Sequence, residues 1–441
     1  MPYCPGSLGL NSSQGKANMD SILIRGNGPL KGNTFASGSK NAALPLLACT
    51  LLAKGTHRFE NVPRLADIGT MLRLLRHIGL EASMEHNACT LYNPGAAKPE
   101  APYELVKTMR ASVLVLGPLL AKYGKAKVSL PGGCAIGARP INLHLKALAA
   151  MGADISLAGG YVEASAQRLR GVEFRFDTIS VTGTENIVMA ACLAQGTTRI
   201  HNAAQEPEVA ELVVALKKMG ARIEWEKANV LVVEGVEELG ACQHTVCADR
   251  IEAGTLLAAA AITGGDVFVQ NAQAEHLGAV LAKLREAGCE VFEEGGTPPG
   301  KGGLRLVAPG RIRPLQLQTQ EYPGFPTDMQ AQLMALLCIA DGDSEIEENI
   351  FENRYMHVAE LCRMGANIHI EGTRALIHGV PRLSGAPVMA TDLRASASLV
   401  LAALCAEGQT TLSRVYHLDR GYERLEEKLT QLGANIERIR H

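Results

Sequence analysis

A chain of 441 residues is longer than one hydrophobic core usually supports and is expected to divide into two domains. With 43 basic against 45 acidic residues and a net charge of -2, it has no general attraction to nucleic acid or an anionic membrane, so any anion must be held by individually placed side chains. Its 11 cysteines are scattered without metal-ligand spacing, several in apolar runs, and no apolar run reaches the roughly 18 residues of a spanning helix; a cytoplasmic protein without a metal is expected.

Residues 1–18 are turn-rich, lack the charged start and apolar centre of a signal peptide, and precede Met19. They read as a disordered extension or an over-early start. A strand begins at Ile22-Leu23-Ile24, and from there a pattern recurs. An amphipathic helix ends in glycine and leads into a short strand at Gly79, Gly152, Gly220, Gly288, Gly365 and Gly433, at intervals of about 70 residues. Each glycine stands where a helix C-cap needs a left-handed residue.

Ahead of each of these helices runs another that is apolar nearly all round, over 41–53, 111–120, 187–194, 253–262, 329–340 and 395–406. A helix without a polar face must be buried on every side. Short alternating strands such as Thr197-Thr-Arg-Ile-His and Asp266-Val-Phe-Val-Gln follow them. Helices within and sheets outside, grouped three and three, are the expected arrangement.

The starts of the apolar helices carry Ser37-Gly-Ser-Lys40-Asn41, Lys107-Thr-Met-Arg110, Thr182-Gly-Thr-Glu-Asn186, Asp249-Arg250, Thr327-Asp328 and Asp392-Leu-Arg394. Ser, Thr and Asp are explained there as caps, whereas Lys40, Arg110 and Arg394 are not, because a cation is unfavourable beside a helix N-terminus. Several such starts aimed into one cleft would make an anion site. Between a strand at 127–130 and the next helix lies Pro131-Gly-Gly-Cys134-Ala-Ile-Gly-Ala-Arg139-Pro140, whose glycines and prolines exclude regular structure. It sets a thiol a few residues from a permanent cation, which favours thiolate. By contrast, Cys242, His244 and Cys247 give too weak a spacing for zinc.

Taken with Phe325-Pro-Thr-Asp328-Met-Gln-Ala-Gln, Phe351-Glu-Asn-Arg354 and Asp419-Arg420-Gly-Tyr-Glu-Arg, these motifs closely resemble the UDP-N-acetylglucosamine enolpyruvyl transferases of peptidoglycan synthesis. The similarity runs from about residue 20 to the C-terminus. The sister family acting on shikimate 3-phosphate is similar in architecture but does not match the Cys134 loop. A silent UDP-sugar sensor is a third reading, against which stand Lys40, Cys134, Asp328, Arg394 and Arg420, all present.

The resemblance implies an α/β fold of two inside-out α/β barrel domains, each of three repeated units, with the active site in the interdomain cleft. One domain would span 40–247 and carry the Cys134 loop; the other would combine 19–39 with 248–441. The implied reaction moves the enolpyruvyl group of phosphoenolpyruvate to the 3'-hydroxyl of UDP-N-acetylglucosamine, with no cofactor, as the first committed step toward the cell wall. Cys134, Asp328, Lys40 and Arg420 are the implied catalytic residues, with Cys134 as general acid and Asp328 as general base. Lys40, Asn41, Arg139, Arg354, Arg394 and Arg420 would hold phosphoenolpyruvate. Asn41, Arg110, Arg139, Pro140, Ile141, Asn142, Leu143, Ser180, Val181, Thr182, Asp328 and Ile350 would hold the UDP-sugar. This sequence departs from common members at Ser39, Asn142, Thr178 and Thr182, where Ala, Asp, Lys and Gly are usual. Asp392 is expected to orient Arg394, and Thr327 to cap the helix that follows Asp328.

Overall fold

The repeat in the sequence becomes a repeat in sheet topology. The computed structural model describes residues 20–95, 97–130, 141–295 and 302–440; residues 1–18, Cys134, Arg139 and Pro140 lie outside the described residues. Among the described residues there are six four-stranded sheets, all built alike. In each, a short strand lies parallel to the next, and two further pairings are antiparallel. Thr197–His201, for example, lies between Glu173–Arg175 on its parallel side and Val230–Glu234 on its antiparallel side. Alternation of buried and half-exposed side chains, as along Asp266–Gln270, turns one face of each sheet inward.

The apolar helices fill the interior. In Arg250–Ile262 every residue from Ile251 to Ile262 is buried, and in Leu393–Cys405 every residue from Arg394 to Leu404. Their apolar contacts form two separate cores. One gathers residues between Ala42 and Val246; the other joins Ile22, Ile24, Leu30 and Ala36 to residues between Ile251 and Ala434. The six repeat glycines all have positive φ, from 92° at Gly365 to 125° at Gly79, so the backbone leaves each helix through a conformation that a Cβ disfavours.

Two of the apolar segments are less regular than their periodicity predicts. Residues 110–115 form a 3-10 turn before the α-helix Leu116–Tyr123, in whose first turn Pro118 removes a backbone donor that would have continued the earlier helix. Lys40–Cys49 likewise tightens into a 3-10 turn over Thr50–Leu52.

The first strands do not join the first core. Ser21–Arg25 lies between Gln409–Ser413 and Asn435–Ile439, and Lys31–Phe35 pairs with Asp266–Gln270. The chain therefore passes between the cores near Ser37 and returns near Cys247, and the two passages run side by side. Ser39 N–H donates to the Cys247 carbonyl and Asp249 N–H to the Ser37 carbonyl, both at 2.7 Å. Glu252 accepts from Ser37 N–H at 2.6 Å, while the buried Lys428 ammonium donates to Ser37 Oγ at 2.6 Å and to Glu252. A buried acid is tolerable here because its charge is paired and hydrogen-bonded.

Candidate active site

Just beyond these passages, five of the residues singled out by sequence come together. Ser39 accepts from Ala42 N–H at 3.3 Å, capping the helix so that Lys40 is its first residue. Asp67, in the first turn of Ala66–Ile78, accepts from Lys40 Nζ at 3.4 Å and from Arg420 Nε at 3.0 Å. Asp328, in the 3-10 turn Thr327–Met329, accepts from Arg354 Nη2 on one oxygen and Arg394 Nη2 on the other, each at 2.8 Å.

One electrostatic field joins the two groups. Burial pushes the Lys40 ammonium below its ordinary range; Asp67 opposes this, Arg394 and Arg420 add to it, and Asp328 opposes it. Arg394 faces the same burial, but Asp328, Tyr422 and Asp249 outweigh it and hold its affinity for the proton above that of a free arginine. The Arg394 guanidinium also lies over the Tyr422 ring, 5.4 Å from the centroid, and its Nη1 is buried with no hydrogen-bond partner among the described residues. Four cations thus outnumber the two carboxylates they bond, an arrangement suited to a small, multiply charged anion.

The two groups are layered in opposite senses. Side-chain exposure rises from 8% at Asp67 to 12% at Lys40 and 37% at Arg420, whereas Arg354 at 3% and Arg394 at 4% lie beneath Asp328 at 28%. In the first group the acid is the least exposed member. In the second it is the most exposed.

The family model EPSP synthase (3-phosphoshikimate 1-carboxyvinyltransferase) matches residues 24–429. The chain is 59% identical over 425 residues to a UDP-N-acetylglucosamine 1-carboxyvinyltransferase of Anaeromyxobacter, covering 95% of this chain and 99% of that one. It is 55% identical over 421 residues to one of Geotalea daltonii, covering 96% and 100%. The chain belongs to the UDP-N-acetylglucosamine 1-carboxyvinyltransferase family. Among solved structures, the enolpyruvyl transferase NikO from Streptomyces tendae superposes with a TM-score of 0.85 at 25% identity, over 96% of this chain and 100% of that one. EPSP synthase from Acinetobacter baumannii, with a TM-score of 0.76 at 19% identity over 96% and 100%, shares the fold.

The residues that the enolpyruvyl transferase resemblance selects for the UDP-sugar fall into two places. Arg110 opens the turn Arg110–Val115, Ile141 precedes Asn142 and Leu143 at the start of Asn142–Ala150, and Ser180 caps Val181–Ala191 by accepting from Gly183 N–H at 3.1 Å. The helix Val181–Ala191 packs on both of the other elements. His144 ties them together: Thr182 Oγ1 is 3.4 Å from its Nε2, and Asn186 Nδ2 is 2.9 Å from its Nδ1. Burial and the charge of Arg110 push this imidazole down to about 4, so it is neutral at physiological pH. Asn186 also accepts from Gly117 N–H at 2.7 Å, which makes it an internal brace. Ile350 lies with Asp328 instead. Glu348 accepts from Ile350 N–H at 2.9 Å with one oxygen and from Thr327 Oγ1 at 2.8 Å with the other, locking the two turns together.

Two expectations need correction. Thr327 does not cap the following helix, because its hydroxyl is committed to Glu348. Asp392 does not hold the Arg394 side chain; it caps that residue's helix, accepting from Arg394 and Ala395 N–H at 2.8 and 3.0 Å, and the guanidinium is aimed by Asp328. Asp67, Glu348 and His144 were not selected from sequence. Asn41 follows Lys40 in its helix, and Cys134, Arg139 and Pro140 lie outside the described residues.

Proposed function

We propose that this protein transfers the enolpyruvyl group of phosphoenolpyruvate to the 3'-hydroxyl of UDP-N-acetylglucosamine, releasing phosphate, in a cytoplasmic step that supplies cell-wall precursor. Family membership and the gathering of Lys40, Arg354, Arg394 and Arg420 around two carboxylates support this reading. Lys40, Arg420 and Arg139 take the phosphate end, Arg354 and Arg394 take the carboxylate, and Asn41 serves both substrates. Arg110, the segment 139–143, the segment 180–182 and Ile350 take the UDP-sugar.

In the proposed chemistry Asp328 removes the hydroxyl proton as that oxygen bonds to C2 of phosphoenolpyruvate, and Cys134 delivers a proton to C3. The resulting tetrahedral adduct then loses a C3 proton and its phosphate, restoring the alkene in the product. Fixed cations orient the small substrate and stabilise the charge that gathers on its phosphate. The arrangement proposed for the whole chain is two inside-out α/β barrel domains of three units, 40–247 and 19–39 with 248–441. The cleft between them closes on the nucleotide sugar.

Phosphate release from phosphoenolpyruvate tests this directly. It is expected to require UDP-N-acetylglucosamine, to be indifferent to shikimate 3-phosphate, and to be abolished by fosfomycin and by Cys134→Ala. Release that depends on shikimate 3-phosphate would replace this reading with the sister activity.

A further inference from the structure

We infer that Asp67 is a positioning residue for the phosphate end of phosphoenolpyruvate, holding Lys40 and Arg420 from behind so that both cations face the anion together. A carboxylate in a helix's first turn has a local explanation in the helix dipole. That explanation covers neither its burial nor its two cations. Lys40 begins another helix, and Arg420 ends the turn Val415–Arg420, 353 residues beyond Asp67. Asp67 belongs to the helix Ala66–Ile78, whose apolar side chains are in the first core, whereas Val415 and Leu418, within Arg420's own turn, belong to the second core. One carboxylate therefore joins two cations that the fold supplies from different halves.

The order of exposure sets the direction of the effect. Asp67 is the least exposed of the three and Arg420 clearly the most, so an anion approaching from the Arg420 side would pair with the cations without displacing the acid. Asp67 then offsets the repulsion between Lys40 and Arg420 and fixes the guanidinium through its Nε and Nη2 edge, Nη2 lying 3.5 Å from Oδ2. Removing the acid leaves two cations that repel each other and an arginine with one anchor fewer.

The inference rests on the proposed phosphate role of Lys40 and Arg420, and the test separates the two. Steady-state kinetics in both substrates would compare the full-length protein with Asp67→Asn, Asp67→Glu, Lys40→Ala and Arg420→Ala, with active-site titration by fosfomycin to count functional enzyme. Asp67→Asn is expected to raise KM for phosphoenolpyruvate about tenfold or more, the size of effect seen when a partner orienting a binding group is lost. KM for UDP-N-acetylglucosamine should stay put, and Asp67→Glu should recover part of the loss. An unchanged or lowered phosphoenolpyruvate KM in Asp67→Asn, or a loss confined to the titratable fraction, would overturn the role of Asp67. Should Asp67→Asn not fold, Asp67→Glu carries the decision by the same KM comparison. If Lys40→Ala and Arg420→Ala also leave that KM unchanged, the phosphate assignment itself falls; if they raise it and Asp67→Asn does not, only Asp67 is dismissed.

Discussion

Arg394 lies beneath Asp328, donating from Nη2 to the acid's Oδ2 at 2.8 Å while its own Nη1 is left buried without a partner among the described residues. A buried guanidinium is costly unless its donors are paired, and a carboxylate is a partner suited to it. Asp328 is more exposed than Arg354 and Arg394, and a carboxylate that paired with both arginines, as proposed, would compete with it. In the proposed mechanism, substrate binding would then free Asp328 to act as the base.

Asp328→Asn separates these roles. It is expected to lower kcat about 100-fold or more, the range that a general base contributes. KM for phosphoenolpyruvate should stay level or fall, since the competing charge is gone. A raised KM with kcat intact would make Asp328 a binding residue.

Lys40 gives a pH dependence of known sign. Burial, helped by Arg394 and Arg420 and opposed by Asp67 and Asp328, lowers its affinity for the proton, so the ammonium is lost at a lower pH than in a free lysine. The main-chain N–H of Lys40 also faces Asp249 at 3.4 Å. As pH rises through that depressed value, kcat/KM for phosphoenolpyruvate should fall. Lys40→Arg, which does not titrate there, should move this alkaline limb upward; a limb that stays in place belongs to another group.

Glu185, shifted upward where Lys40 is shifted downward, gives a stability dependence. It is buried, and burial first, then Glu208 and Glu206, raise its carboxyl well above the ordinary value of 4.5. The folded protein keeps this proton where the unfolded chain has lost it. Stability tied to the group is therefore full below about 4.5 and is lost as pH rises toward the folded value. Melting of Glu185→Gln against the parent across pH 4 to 8, roughly, should show the variant gaining relative stability with pH; a constant difference would contradict the buried-acid reading.

Gly38 fixes the passage that delivers Lys40. A Cβ there would stand 1.7 Å from the Asn61 carbonyl oxygen, and the gap cannot open without moving backbone. Gly38→Ala is expected to cost about 1–3 kcal/mol in chemical unfolding, the usual range for overpacking. Activity should fall as well, because Lys40 is two residues on. Unfolding and kinetics both unchanged would show the passage to be pliable.

Much of this was legible because it is local chemistry. Helix-ending glycines such as Gly79 and Gly433, and helices without a polar face, declare themselves within a few residues, and Lys40 and Arg394 stood out as cations where helix starts disfavour them. Asp67 did not stand out, because an acid in a first turn is ordinary and its meaning comes from Arg420 at the far end of the chain. Glu348 was hidden in the same way: its two oxygens join turns that the sequence shows only as separate motifs. The break at Arg110–Val115 was missed because apolar periodicity outvoted Pro118.

The most direct measurement is the mass of the product formed from phosphoenolpyruvate and UDP-N-acetylglucosamine in deuterium oxide during a single turnover. If a group of the protein that exchanges with solvent adds a hydrogen to C3 and one of three is later lost, most product molecules carry deuterium at that carbon. Product free of deuterium would contradict protonation of C3 followed by loss from a rotating methyl group, and the addition and elimination proposed for this cluster of cations and acids would be wrong.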